Sequence, residues 1–225
     1  MKKLIVIILV LVIIFIGMIV YKNQSTKINS SISVQEVKEI ETYITKIYMW
    51  KEVTNQALPI FDNINSASDI WIWEVVKKNL EDYELSYEQI EEKSKELFGI
   101  DFNKNFPKEG MEYFIYDEQK DKYYPQGRGL DQKEDCFLLN KIEKKGNIYE
   151  VEIIEYLEDY SALANKENII IENIKEEFIG EISEEEEEKT KEIVKNNVDK
   201  FSKKKLILEK DLKKQKFFIK KVEEV

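Results

Sequence analysis

Histidine is absent from this 225-residue chain, and cysteine and arginine occur once each, as Cys136 and Arg128. Without imidazole the chain has no histidine general base, no Ser-His triad and no imidazole metal ligand. A single cysteine excludes an intramolecular disulfide, so packing must stabilise the folded state. No stretch carries a specific catalytic motif. We therefore predict a protein that is not an enzyme and that needs no cofactor.

The longest apolar run extends from Leu4 to Tyr21 and has lysines on both sides. Eighteen helical residues span about 27 Å, close to the hydrocarbon thickness of a bilayer. Neither an A-x-A-like cleavage site nor a cysteine for lipid attachment follows the run. We therefore predict an uncleaved transmembrane anchor over residues 1–22, with a cleaved signal peptide as the alternative. The flanking lysines favour a single-pass protein of the cell membrane, with the N terminus inside and the C-terminal domain outside.

The chain after this anchor is strongly acidic. All 45 acidic residues follow Ser30, whereas four of the 35 basic residues precede it. Such a surface repels phosphate groups, so we predict no nucleic-acid partner and expect the domain to stand off from anionic lipid. Residues 23–33 are polar and predict a tether. Residues 34–225 are long enough for one extracytoplasmic domain with its own core.

Apolar spacing predicts two helices before residue 84. Apolar residues at intervals of three and four indicate a first helix from Val34 to about Glu52. A second helix, capped at Ser68 or Asp69, contains Trp71 and Trp73. Because residues two apart on a helix diverge by about 200°, we expect one of these tryptophans to be partly exposed.

A third helix carries the clearest local signals in the chain. Ser86 and Gln89 form a capping box, and Leu85 and Ile90 are spaced as a hydrophobic staple. Gly99 supplies a left-handed end. We expect three helices to precede any strand.

After residue 110 the pattern changes to short, alternating runs that indicate strands. Gly146-Asn147 between two of these runs predicts a two-residue hairpin turn. Ser183 and Glu186 form another capping box, which predicts a late helix through Phe201. The predicted strands cover residues 111–117, 122–124, 136–143, 148–157, 168–171, 205–209 and 216–222. The pattern of residues 173–182 is compatible with either a strand or a loop.

Helices first and mostly antiparallel strands afterwards, with one helix inserted late, predict an α+β fold. The order of Leu97-Phe98-Gly99, tyrosine-rich strands, the Gly146-Asn147 hairpin and a lysine-rich last strand over 217–222 resembles membrane-anchored proteins of low-GC Gram-positive bacteria. That resemblance implies an exported domain of the cystatin or nuclear-transport-factor-2-like (NTF2-like) type, a cone of helices wrapped by a curved, mainly antiparallel sheet. It implies no substrate.

Aromatic side chains are the main candidates for a ligand site. A curved sheet that faces helices can enclose a small apolar ligand. The same aromatic rings can instead fill the core between the two layers. The residues predicted to line such a cavity are Trp50, Trp71, Trp73, Tyr113 and Tyr116.

The remaining polar features favour structural explanations. Consecutive helical positions point around the helix, so the acidic run 184–188 predicts a solvated helix start and no metal site. Cys136 lies in an apolar strand and predicts an inert thiol. Arg128 lies between two glycines, a pattern that indicates a surface loop. Glu150 and Glu152 share the solvated face of a strand, without a partner that would separate their pKa values.

Three hypotheses for function follow. The first is a non-catalytic binding domain, held at the membrane and recognising a protein, a peptide or a cell-wall component. The second is a small-molecule-binding cone with an aromatic cavity, and the third, ranked last, is an envelope hydrolase. An open aromatic cavity would favour the second hypothesis, whereas a filled core would favour the first.

Overall fold

The computed structural model describes residues 27–28, 32–49, 56–80, 82, 84–101, 114–125, 133–161, 168–183, 186 and 188–225. The predicted anchor over Leu4–Tyr21 lies outside these residues, as does Arg128. Within the described residues, no helix combines the length and the apolar character needed to cross a membrane. They form four α-helices and two mainly antiparallel sheets, which confirms the α+β prediction.

Helices dominate the first half of the described chain and strands the second. The helices are α1 (Val34–Ile47), α2 (Asp69–Lys78), α3 (Tyr87–Phe98) and α4 (Glu188–Asn196), with 3-10 turns at Ile64–Ser66 and Val198–Lys200. The strands are β1 (Lys27–Ile28), β2 (Leu85–Ser86), β3 (Phe114–Asp117), β4 (Lys122–Pro125), β5 (Lys133–Lys145), β6 (Ile148–Asp159), β7 (Ile169–Glu172), β8 (Phe178–Ile182), β9 (Ser202–Asp211) and β10 (Lys216–Glu224).

Strand β6 is the centre of the seven-stranded main sheet. One edge of β6 pairs with β5 along its whole length. Its other edge is shared, because β9 pairs with residues 148–155 and β7 with residues 157–159. Beyond them lie β10 and β8, and β1 runs parallel to β5 at Lys141–Ile142. A smaller sheet has the order β2-β4-β3.

Both faces of the main sheet are covered. On one face, α1, α2 and α3 build a large core that includes Ile44, Trp71 and Val151. On the other face, α4 contributes Val194 to a second core that contains Ile154. Successive strand residues point to opposite faces, so Val151 and Ile154 of the same strand serve different cores. Among the described residues, three helices therefore cover one side of β6 and α4 covers the other.

Local signals at element ends agree with the structure. The Ser86 hydroxyl accepts from the Gln89 backbone N–H at 3.3 Å, and the Gln89 side-chain oxygen accepts from the Ser86 backbone N–H at 2.9 Å. Gly99 has φ +70 and Gly146 has φ +66, a region that residues with a Cβ rarely adopt. The predicted capping box, helix end and β5–β6 hairpin are confirmed.

The first helix ends at Ile47 and not near Glu52. Tyr48 is extended and buried, and its hydroxyl lies 3.2 Å from the Glu155 carboxylate of β6. The Lys78 ammonium donates to the Tyr48 carbonyl at 2.8 Å, which caps the helix end. Contacts with α2 and the sheet therefore end the helix before its apolar pattern does.

The expectation that three helices precede any strand is wrong. Strand β2 separates α2 from α3, and its Leu85 and Ser86 pair with Tyr123 and Lys122 of β4. Ser86 is therefore both a strand residue and the N-cap of α3. A two-residue strand shows no alternation, so its sequence gives no signal for it.

The late helix is shorter than predicted. It covers Glu188–Asn196, and a 3-10 turn replaces the extension to Phe201. The Asn197 side chain donates to the Ile193 carbonyl at 2.9 Å and so satisfies one acceptor at the helix end. The ambiguous stretch 173–182 forms a turn followed by β8.

Candidate functional site

Trp71 and Trp73 are both fully buried, with no exposed surface. The expectation that one of them is partly exposed is therefore wrong. The Trp71 ring packs on Phe98 of α3 with centroids 5.3 Å apart, and the Trp73 ring packs on Tyr123 of β4 at 5.1 Å. Helix α2 lies between the main core and the small sheet. The side chains of Trp71 and Trp73 point in different directions, and each of them meets packed side chains.

The structure brings only part of the predicted cavity together. Tyr116 packs on Tyr123 at 4.8 Å, which places it in one aromatic row with Trp73, whereas Trp71 faces the other side of α2. Trp50 and Tyr113 lie outside the described residues. None of the three described residues lines the two recesses presented below. The aromatic cavity therefore stays a prediction.

The acidic and thiol candidates have structural partners. Lys145 binds the Glu150 carboxylate at 2.7 Å, and Asn140 donates to Glu152. Burial, assisted by the charge of Glu158, raises the pKa of the Cys136 thiol. Among the described residues, no three histidine, cysteine, aspartate or glutamate side chains converge as metal ligands would.

The closing hairpin, which we define as β9, β10 and the turn between them, is the feature that sequence reasoning missed. Between Lys203 and Lys221 it carries nine lysines and two acidic residues, in a chain where acidic residues outnumber basic ones by 45 to 35. A count of charges in short windows would have found this basic segment. Several of its lysines bind carboxylates: Lys205 binds Glu223, Lys210 binds Glu39, Lys216 binds Glu96, and Lys204 binds Glu155.

A broad open recess of about 970 Å³ lies beside the closing hairpin, and we call it the hairpin recess. The end of α3 and the 3-10 turn at Ile64–Ser66 form one wall, and the hairpin forms the other. A Cβ built on Gly99 would lie 3.4 Å from the Phe218 ring, so the end of α3 comes close to the hairpin. The charged residues of its lining are Asp62, Glu209, Lys210, Asp211, Lys213, Lys214, Lys220 and Lys221.

The cations of the hairpin recess differ in their partners. Lys220 binds Glu209 at 3.0 Å, and Lys221 binds Asp62 at 2.9 Å. In contrast, Lys213 and Lys214 form no ion pair with any residue that the structure describes. The Lys214 ammonium lies 6.0 Å from the centroid of the Phe218 ring. The recess therefore offers two lysines that form no salt bridge with the described residues, near the Asp211 carboxylate and beside an aromatic ring, and such cations suit an anionic ligand.

A second recess, the helix groove, runs between α1, α3 and the start of β10. It has a volume of about 290 Å³ and a floor that includes Tyr43, Leu97 and Phe217. The Tyr43 hydroxyl donates to the Leu97 carbonyl at 3.0 Å and accepts from the Ile219 N–H at 2.8 Å. Both bonds are internal, so the Tyr43 hydroxyl is already satisfied, and most of the remaining lining residues are polar or charged.

No protein-family model, curated protein or solved structure matches this chain. Its function must therefore be argued from the geometry of the hairpin recess and the helix groove. Of the two, the hairpin recess has the larger volume and the stronger charge contrast with the rest of the chain.

Proposed function

We propose that this chain is a membrane-anchored, non-catalytic binding domain at the outer face of the cell envelope, and that the hairpin recess binds an anionic ligand. One observation carries the proposal: Lys213 and Lys214 border an open recess and form no salt bridge with the described residues, in a segment, Lys203–Lys221, that holds nine lysines and two acids. An acidic surface elsewhere would repel the same ligand and direct it to this site.

The proposed anchor is the apolar run Leu4–Tyr21, and the proposed orientation rests on the lysines that flank it. The proposed likeness to cystatin or NTF2-like domains of Gram-positive membrane proteins is supported by α1, α2 and α3 covering one face of a mainly antiparallel sheet. The layer formed by α4 on the opposite face departs from that pattern.

Binding can be tested with the full chain in detergent and a fluorescent inorganic polyphosphate as the anionic probe. We expect saturable binding that weakens with salt, and a clear loss of affinity in the variant Lys214→Glu/Lys220→Glu. The matched control is Lys175→Glu/Lys195→Glu, which changes the net charge equally on parts of the chain that do not line the hairpin recess. Equal losses in both variants would show attraction by net charge alone and would overturn the assignment of the site.

Membrane anchoring needs a separate test. Protease treatment of intact spheroplasts should digest the C-terminal domain when it lies outside the membrane. Protection of that domain would overturn the proposed orientation. Crosslinking in intact membranes, followed by purification of the chain, then identifies protein or cell-wall partners.

A small-molecule binder is the second candidate, and the helix groove favours it. Its volume of about 290 Å³ approaches the range of small-ligand pockets, and its lining includes Tyr43, Leu97 and Phe217. Thr42 lines this groove from an exposed position of α1, so Thr42→Trp should fill it with little effect on the core. A ligand that raises the melting temperature of the native chain but not of this variant would support the second candidate over the first.

A further inference from the structure

The turn of the closing hairpin holds a fixed shape through its own side chains. The Asp211 carboxylate accepts from the backbone N–H groups of Lys213 at 2.8 Å and Lys214 at 3.0 Å. The Gln215 amide donates to the Leu212 carbonyl at 2.7 Å. Leu212 remains 66% exposed at the tip, next to the two lysines. These bonds hold the backbone of the turn in one conformation. The turn therefore presents the Leu212 side chain and the two lysines together.

The start of α1 lies at the same end of the molecule as this turn. Lys210, one residue before the turn, binds Glu39 of α1 at 3.0 Å, and Gln35 and Gln215 line the same helix groove. Val34, the first residue of α1, is 88% exposed. Val34 and Leu212 are the most exposed large apolar residues in the described part of the chain. One end of the domain therefore combines exposed apolar groups with two lysines that form no salt bridge within the described part of the chain.

This combination is typical of proteins that dock on anionic membranes. Apolar side chains enter the headgroup region, and lysines bind the negative headgroups around them. A soluble anion needs the lysines but gains nothing from an exposed leucine at the tip. Because the rest of the domain is acidic, an anionic bilayer would attract this end and repel the remainder, which orients the domain.

A short connection separates the proposed anchor from β1. Strand β1 lies opposite Lys141–Ile142, about 14 Å along β5 from its end at Lys145. The β5–β6 turn at that end meets the closing hairpin, since the Lys210 N–H donates to the Asn147 carbonyl at 2.8 Å. Five residues from Lys22 to Lys27 span up to about 17 Å. This reach exceeds the distance of about 14 Å to the end of β5, but because β1 runs parallel to β5, the connection must double back to bring the turn to the membrane surface.

We propose that the partner of the hairpin recess is the anionic bilayer surface beside the anchor, with Leu212 in the headgroup region and Lys213 and Lys214 bound to headgroup phosphates. This inference rests on the proposed function, because it names the ligand class of the same site. It also replaces the expectation that the acidic domain stands off from anionic lipid.

The test places a fluorescent probe at the tip of the turn. The full chain carries Cys136→Ser, which removes the single native thiol, and Leu212→Cys labelled with an environment-sensitive dye. It is reconstituted in vesicles of phosphatidylcholine alone and of phosphatidylcholine mixed with phosphatidylglycerol. Phe178→Cys is the matched control, because Phe178 is 63% exposed and lies far from the turn. In the sheet Phe178 pairs with Glu172, and Glu172 pairs with Leu157, near the end of β6 that is remote from the closing hairpin's turn.

We expect a blue shift and protection from an aqueous quencher for the Leu212 probe in anionic vesicles only, and no change for the Phe178 probe. About 1 M salt should abolish the shift, because the Debye length then falls to about 3 Å. Lys213→Glu/Lys214→Glu should weaken the contact about thirty-fold or more, since each lysine near an anionic bilayer contributes about fivefold.

The other outcomes separate this inference from the proposed function. No shift in anionic vesicles, or an equal shift in both vesicle types, overturns the lipid contact. Binding of polyphosphate in solution together with an unshifted Leu212 probe supports an anion site but overturns the bilayer as its partner. Flotation of the chain with phosphatidylcholine vesicles reports anchoring independently of the turn, so loss of flotation alone would reject the anchor and not the contact.

Discussion

Lys204 and Glu155 form a buried ion pair across β9 and β6, with the lysine ammonium 3.0 Å from the carboxylate. The ammonium also donates to the Leu58 carbonyl at 2.5 Å, and the Tyr48 hydroxyl lies 3.2 Å from the same carboxylate oxygen. Burial, with a contribution from the charge of Glu155, raises the pKa of Tyr48 well above its usual range. The cluster lines neither recess, so we assign it a structural role that ties α1 and residue 58 to the sheet.

Removing one partner of this pair should be strongly destabilising. Lys204→Met leaves the Glu155 charge and the Leu58 carbonyl buried without their partner, which costs about 3–5 kcal/mol of unfolding free energy. The double variant Glu155→Leu/Lys204→Met removes both charges and should lose much less than the sum of the single variants. Urea denaturation measures each value.

The half-exposed pair of Lys205 and Glu223, at 2.9 Å, is the matched control for that experiment. Lys205→Met should change the unfolding free energy by about 1 kcal/mol or less, because exposed pairs are screened by water. Similar losses for Lys204→Met and Lys205→Met would contradict the structural role of the buried pair.

Tyr43 should contribute to stability through its hydroxyl. The hydroxyl joins α3 to β10 by its bonds to the Leu97 carbonyl and the Ile219 N–H, and burial raises its pKa. Tyr43→Phe leaves both backbone groups without this partner, so we expect a loss of about 1–3 kcal/mol in chemical denaturation. Tyr124→Phe removes a hydroxyl that accepts from the exposed Lys120 at 3.3 Å, and as the control it should cost less than Tyr43→Phe.

Glu36 should make the stability of the domain depend on acid pH. The Lys144 ammonium, the Tyr149 hydroxyl and Ser33 hold the pKa of Glu36 at about 2, below its usual 4.5. Since the folded state lowers this pKa, the stabilisation is complete above pH 4.5 and is lost as the pH falls toward 2. It amounts to up to about 3 kcal/mol.

Urea denaturation at several pH values between 7 and 2.5 measures this dependence. Glu36→Gln should be less stable than the native chain at pH 7, and the difference should shrink as the pH falls through that window. Glu41→Gln changes an exposed glutamate on the same helix and serves as the control. A constant difference between Glu36→Gln and the native chain across this pH range would reject the assignment.

Cys136 should react slowly in the folded protein. Burial and neighbouring carboxylates raise the pKa of its thiol, which lowers the fraction of thiolate. We expect disulfide exchange with an aromatic disulfide reagent to be about tenfold or more slower than for an unfolded chain, and urea should remove the difference. An exposed cysteine at Leu212→Cys, in the Cys136→Ser background, should react at the fast rate in both conditions. Equal rates for the two cysteines in the folded state would contradict the buried thiol.

The sequence by itself determined the features that depend on neighbours along the chain. The Ser86 capping box, the left-handed Gly99 and the Gly146-Asn147 hairpin follow from local hydrogen bonding and from backbone freedom at glycine, and the structure confirms all three. The change from helical to strand periodicity likewise indicated the α+β class. The high density of lysines between Lys203 and Lys221 was equally local, but only a window count of charge would have shown it.

Only the tertiary structure decided what depends on contacts between distant segments. Trp71 and Trp73 are both buried because α2 lies between the main core and the small sheet, an arrangement that no helical pattern reveals. Tyr48 leaves the helix and places its hydroxyl 3.2 Å from the carboxylate of Glu155, more than one hundred residues later. The hairpin recess exists because the end of α3 packs beside the closing hairpin. Pairing across such distances depends on the chain's three-dimensional course, and local propensity carries no information about it.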